Sequence, residues 1–231
     1  MVAPMVRFGV DHVGALVVTA LAVAALVAYG RSRRGRPGPR TVARCLAYLM
    51  IGAFLADPIL RADAGELTWV DGLPLELCDA AGVATIVALL TRRQAAFELA
   101  YFWGLSGTFL ALLTPPLEQG FAHPDFLRYF VLHSGVVAGV LLLGPGLGMR
   151  PRRGAVWWAV ACTMLYAAAI GLVDAALGAN YMWLREKPPD TLLDAFGPWP
   201  YYILGGVALG VALFLLLDLP YRITAREARS G

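Results

Sequence analysis

Charge is what this sequence has least of. Only 15% of its 231 residues are Asp, Glu, Lys or Arg, against about a quarter in soluble proteins, while 59% are hydrophobic and mean hydropathy is +0.65. That balance excludes an ordinary soluble domain and points to a chain built for lipid. Cysteine is also rare. Cys45, Cys78 and Cys162 all lie in apolar segments and form no C-x-x-C pair, which excludes a disulfide framework and a zinc site. Ahead of the first apolar segment there is only Arg7, too little for the basic region of a signal peptide, so that segment is expected to stay as a helix. No internal repeat suggests a transporter made of two inverted halves. The net charge of +3 resides in short loops, where membrane topology explains it better than a nucleic-acid partner does.

What remains is a series of apolar runs. A bilayer-spanning helix needs about 20 mostly apolar residues, and seven such segments are expected in one compact domain over residues 1–231. They run from about Asp11 to Tyr29, Thr41 to Leu60, Leu73 to Leu90, Ala95 to Leu113, Phe126 to Leu143, Ala155 to Leu177 and Trp199 to Leu219. Asp71-Gly72 followed by Pro74 marks the start of the third, and Pro220 the end of the seventh. The expected fold is an all-α, polytopic bundle of seven transmembrane helices. Fourteen of the nineteen basic residues fall in the loops after segments one, three and five, in the C-terminal tail and at Arg44. Basic loops stay cytoplasmic, so the N-terminus is expected outside and the C-terminus inside. The five arginines between Arg31 and Arg40 are expected to be solvated.

Ionisable groups inside a span cost about 2.5 to 3.5 kcal/mol at its centre, so they face a cavity or one another. On this topology His12, Asp57, Glu76, Cys78, Asp79, His133, Asp174 and Asn180 fall in the outer half, and Glu98 lies towards the inside. One polar chamber opening outward would hold them. At about 1.5 Å per residue, Cys78 would sit about 7 Å below the start of segment three and His133 about 10 Å below that of segment five, similar depths from one face. A thiol is a strong nucleophile as thiolate, and an imidazole is a common activator. Cys78 and His133 are therefore the candidate nucleophile and base. Glu76 and Asp79 flank the thiol as like charges that oppose a thiolate, unless they orient the histidine or are protonated. Asn180, Tyr181 and Arg185, in the long loop before segment seven, are candidates to hold a headgroup. Each has a plainer reading: a buried Cys is most often a small hydrophobe, His12 with Asp11 reads as interfacial, His123 as a loop residue or helix cap, and Trp103-Gly-Leu-Ser-Gly107 as close helix packing.

Five patches in order resemble the YwaF-like integral membrane proteins, related to the transmembrane protein 164 acyltransferases. They are Leu73-Pro-Leu-Glu-Leu-Cys-Asp79, Tyr101-Phe-Trp-Gly-Leu-Ser-Gly-Thr108, Leu132-His-Ser-Gly135, Gly178-Ala-Asn-Tyr-Met182 with Arg185-Glu-Lys-Pro188, and Gly197-Pro-Trp-Pro-Tyr-Tyr202. The resemblance implies that Cys78 matches the family's nucleophile and His133 its partner, and that the activity is cysteine-dependent transfer of an acyl chain between phospholipid and lysophospholipid. Bacterial members often carry His where this sequence has Glu76. The expected partners are those lipids and the bilayer, without metal, soluble cofactor, nucleic acid or an evident protein partner, and the expected location is the bacterial cytoplasmic membrane. A lipid ester hydrolase, and a transporter or small-molecule receptor that turns nothing over, are the rival readings.

Overall fold

A computed structural model describes residues 4–63, 65, 67–187 and 191–230, the side chains of residues 192 and 224–230 excepted. Among the described residues seven apolar helices follow one another: α1 Val10–Ser32, α2 Gly38–Asp63, α3 Leu77–Thr91, α4 Gln94–Leu113, α5 Pro124–Gly146, α6 Ala155–Leu177 and α7 Tyr201–Ser230. Six are long and apolar enough to cross a membrane. α3 is shorter, 15 residues or about 22 Å against a hydrocarbon core of about 30 Å. The chain divides into two compact units, the first Met1–Asp57 with Ala80–Arg150, the second Pro58–Asp79 with Pro151–Gly231.

The first unit is organised around α5. Its glycines and small residues let four other helices approach closely, the usual device where lipid removes any hydrophobic drive for helices to associate. A Cβ built on Gly135 would come 2.9 Å from Met50 Cγ of α2, and one on Gly139 would come 2.7 Å from Thr85 Cγ2 of α3. Conversely, a Cβ on Gly104 of α4 would meet Val136 Cγ1 of α5 at 2.7 Å, whereas one on Gly107 meets nothing within 4 Å. Of the two glycines expected to pack, Gly104 makes the contact. Thr19 of α1 and Ser134 of α5 share a hydrogen bond of 2.7 Å. Two π-turns, Gly104–Thr108 in α4 and Leu142–Gly146 at the end of α5, widen these helices locally.

The loop after α1 is not simply solvated. Arg34 donates from Nε and Nη2 to Gly146 O and from Nη2 to Pro145 O, and Arg31 Nε donates to Pro145 O at 3.1 Å. Guanidinium groups thus satisfy carbonyls that the end of a helix leaves unpaired. His12 is buried rather than interfacial: Phe8 N–H donates to its Nδ1, and its Nε2–H donates to Leu112 O at 2.8 Å. His123 caps α5, its Nδ1 accepting from Asp125 N–H, with Pro124 at the first helical position.

Two helix boundaries depart from expectation. α3 begins at Leu77, four residues later than the apolar run suggests, and α7 runs through Pro220 to Ser230. A proline removes one helical hydrogen bond. Across this one, Arg222 grips Asp218 through Nε at 2.6 Å and Nη2 at 2.7 Å, and Nη2 also reaches Arg152 O at 2.8 Å. The side chains of Arg226 and Arg229, counted among the tail charges, lie outside the described residues.

Candidate active-site residues

The second unit builds its polar end around the stretch Leu73–Glu76, which is coil because distant groups take its backbone. Tyr181 Oη accepts from Leu73 N–H at 2.9 Å and donates to Trp69 O at 3.2 Å, while Tyr166 Oη donates to Leu75 O at 3.0 Å. Leu73 and Leu75 pack against the buried cluster of Ile170, Ala179 and Tyr181. Glu76 Oε2 accepts from Met182 N–H at 3.1 Å. With those ties made, the helix starts only at Leu77, and Asp79 Oδ2 reaches back to Glu76 N–H at 3.0 Å, the acidic half of a capping box. Cys78 is therefore the second residue of α3, not about 7 Å into it but about 1.5 Å, at the end where the helix dipole favours an anion. It is partly buried, as is Cys162, and Cys45 is exposed.

The expected headgroup residues are in large part the scaffold of this end. Asn180 Oδ1 accepts from the N–H groups of Arg185 and Glu186, and its Nδ2 donates to Glu186 O. Arg185 Nη1 donates to Asp174 O and Ala179 O, closing the C-terminus of α6. Asp174 is fully buried; its Oδ1 accepts from Tyr181 N–H at 2.9 Å, and its Oδ2 has no partner among the described residues. Pro188 of the loop motif lies outside the described residues. Burial pushes Glu76 up to about 7; the Met182 N–H pulls it down, and the charges of Asp79 and Asp174 raise it. A carboxyl raised in this way opposes an anion at the start of α3 less than an ordinary carboxylate does. Tyr166 joins this end without any motif that marks it in the sequence. A tyrosine hydroxyl inside an apolar helix needs a partner, and that was the available signal.

The first unit holds Asp57 and His133. Asp57 forms an ion pair with Arg128, which also reaches Asp125 at 3.4 Å. His133 is the tenth residue of α5, its ring stacked on Tyr129 with centroids 3.8 Å apart. Its Nδ1 lies 2.9 Å from Tyr129 O. A carbonyl accepts only, so the proton sits on Nδ1 and Nε2 is left as the acceptor of the ring. Glu98, expected towards the inside, is fully buried and accepts from Gln94 Nε2 at 2.9 Å. Among the described residues no group of three or more His, Cys, Asp or Glu side chains is arranged to hold a metal ion.

Six helices of spanning length, with ionisable side chains buried among them, define a polytopic α-helical membrane protein. The chain belongs to the TMEM164 family, which matches residues 7–218 and agrees with the resemblance drawn from the motifs. It is similar to an uncharacterized protein of Treponema pallidum (strain Nichols), 29% identical over 222 residues that cover 94% of this chain and 90% of that protein. No solved structure matches it.

Proposed function

We propose that the protein is a cysteine-dependent acyltransferase working on membrane phospholipid, with Cys78 as nucleophile and His133 as base. The Cys78 sulfur attacks the acyl carbonyl of a donor phospholipid while His133 Nε2 takes the thiol proton. The ester C–O bond breaks, and the proton passes to the departing lysophospholipid oxygen, leaving an acyl thioester. The hydroxyl of an acceptor lysophospholipid then attacks the thioester, giving its proton to Nε2, which returns it to the sulfur. This requires thiol and Nε2 within about 2.6–3.2 Å, or one water apart, in the lipid-bound enzyme.

The observation that carries the reading is the tautomer of His133. With Nδ1–H donated to Tyr129 O, the basic lone pair of the ring is on Nε2, the state a general base needs. The test is to incubate purified protein in vesicles with phospholipid radiolabelled in its acyl chain, quench, and measure protein-bound label and transfer to added lysophospholipid. Parent protein is expected to trap label that hydroxylamine releases, and Cys78→Ala none. Equal trapping and transfer by Cys78→Ala would end this mechanism. Free fatty acid as the sole product, with a trapped thioester, makes the enzyme a hydrolase using water in the same second step.

We further infer seven crossings, with the N-terminus outside and the C-terminus in the cytoplasm of a bacterial cell. α3 crosses despite its length, since local thinning of the bilayer accommodates a short helix at modest cost, and Arg92 and Arg93 then join Arg31–Arg40 on the inner side. In a variant without the three native cysteines, Glu118→Cys is expected to react with an impermeant maleimide on intact cells and Arg33→Cys only after lysis. Labelling of both on one side is what a non-crossing α3 gives.

A further inference from the structure

One cavity of the first unit has no part in the chemistry above. It holds about 550 Å³, within the range of small-ligand sites, and lies between α1, α2 and α5, lined by residues such as Gly14, Val18, Ala22, Leu46, Val131 and Ala138. From Val10 to Leu26 it follows α1 for about 24 Å, more than the roughly 15 Å depth of hydrocarbon in one leaflet. Its walls are apolar almost throughout. The two hydroxyls in them are spent on protein: Thr19 Oγ1 donates to Ala15 O and shares its second bond with Ser134 Oγ. Both hydroxyl protons in the depth of the cavity are thereby used within the protein, leaving only acceptor lone pairs among apolar walls, a poor site for water, which needs two or more polar partners.

The two ends differ. Where α5 begins, the rim carries Asp11, whose Oδ2 accepts Phe121 N–H, and the lining residue Leu127 is followed in α5 by Arg128, which is ion-paired with Asp57 and Asp125. Away from that rim the lining on α1 and α5 is hydrocarbon apart from the mutually bonded hydroxyls of Thr19 and Ser134. Val18 and Leu49 on the flanks are exposed, so the groove opens sideways along two helices of spanning length. A charged rim above a long apolar trough has the polarity of one lipid tail beneath its headgroup. We propose that this groove is the seat of a single acyl chain of a membrane phospholipid, with the ester at the Asp11 and Arg128 end and the methyl end towards Leu26. The ester at that end lies seven residues, or about 10 Å, along α5 from His133, so this seat stands independently of the acyltransferase reading.

The test uses full-length protein in phosphatidylethanolamine and phosphatidylglycerol vesicles doped with a phosphatidylglycerol whose acyl chain carries a diazirine. After illumination, adducts are mapped by peptide mass spectrometry. They are expected to concentrate on the groove faces of α1 and α5, above the level at Leu165 and Leu172, exposed residues of α6 that meet bulk lipid. Gly14→Leu adds a side chain where a Cβ meets nothing within 4 Å, so it fills the groove without disturbing the helix. It is expected to lower α5 adducts relative to α6 adducts at least about fivefold, equivalent to about 1 kcal/mol, and Val18→Trp should do the same independently. Adducts spread evenly over α1, α5 and α6, or unchanged in Gly14→Leu, mean ordinary annular lipid and overturn the proposal. Cys78→Ala separates the two readings, because it is expected to keep the groove adducts. Groove labelling without transfer in the parent sinks only the catalytic reading, and transfer with even labelling sinks only the seat.

Discussion

His133→Ala is expected to slow acylation of the protein by about 10²- to 10⁴-fold, the usual contribution of a positioned base, while leaving it folded. The two effects separate because the ring makes its one assigned hydrogen bond to Tyr129 O, four residues back in its own helix. Losing such a bond costs about 1 kcal/mol of stability, whereas 10²- to 10⁴-fold in rate corresponds to about 2.7–5.4 kcal/mol of barrier. Single-turnover trapping of labelled acyl chain measures the first, and thermal unfolding in detergent the second. A rate within threefold of the parent, from protein that melts normally, would leave His133 as a packing residue stacked on Tyr129.

The second large effect concerns the fold. Gly139→Ala is expected to destabilise the protein by about 1–3 kcal/mol, as overpacking of a tight core does, although alanine is the better helix former by about 1 kcal/mol. The new methyl would lie 2.7 Å from Thr85 Cγ2 and 3.1 Å from Leu89 Cδ1. Thr85 is poorly placed to give way: it is fully buried, branched at Cβ, and tied by its hydroxyl to Ala81 O at 2.7 Å. Gly107→Ala is the matched control, also helical but with open space at the Cβ position, and it is expected to be neutral or stabilising. Melting temperatures that shift equally in the two variants would show that α3 and α5 are not in the contact described.

Much of the architecture was legible as apolar runs, because a helix that must satisfy its own backbone in lipid announces itself by length and composition. What was not legible depends on partners far along the chain. Pro74 reads as a first-turn proline, but Tyr166, Tyr181 and Met182 claim the backbone and carboxylate of residues 73–76 and delay the helix to Leu77. His12 reads as interfacial until Leu112, a hundred residues on, supplies the carbonyl that lets it be buried. Pro220 reads as a stop, and the grip of Arg222 on Asp218 overrides it. Around the candidate site, the residue types at Glu76, Asp79, Asn180, Tyr181 and Arg185 were visible. Their work as caps and loop braces was not, because a side chain that binds backbone looks in sequence like one that binds a ligand. The family match now stands behind the motifs, and it covers both Cys78 and His133.

The arginine grip on the last carbonyls of α5 bears on how this chain tolerates being cut. A segment as greasy and lightly buried as Val10–Ser32 invites treatment as a disposable leader, yet with the turn that follows it, it is the strut against which the His133 helix is braced, through Thr19 midway, Arg31 in its last turn and Arg34 just beyond. Trimming it away through Arg34 would take from Ser134 its partner Thr19 and from Pro145 O and Gly146 O their guanidinium donors. Purification handles therefore belong ahead of this strut, not in its place.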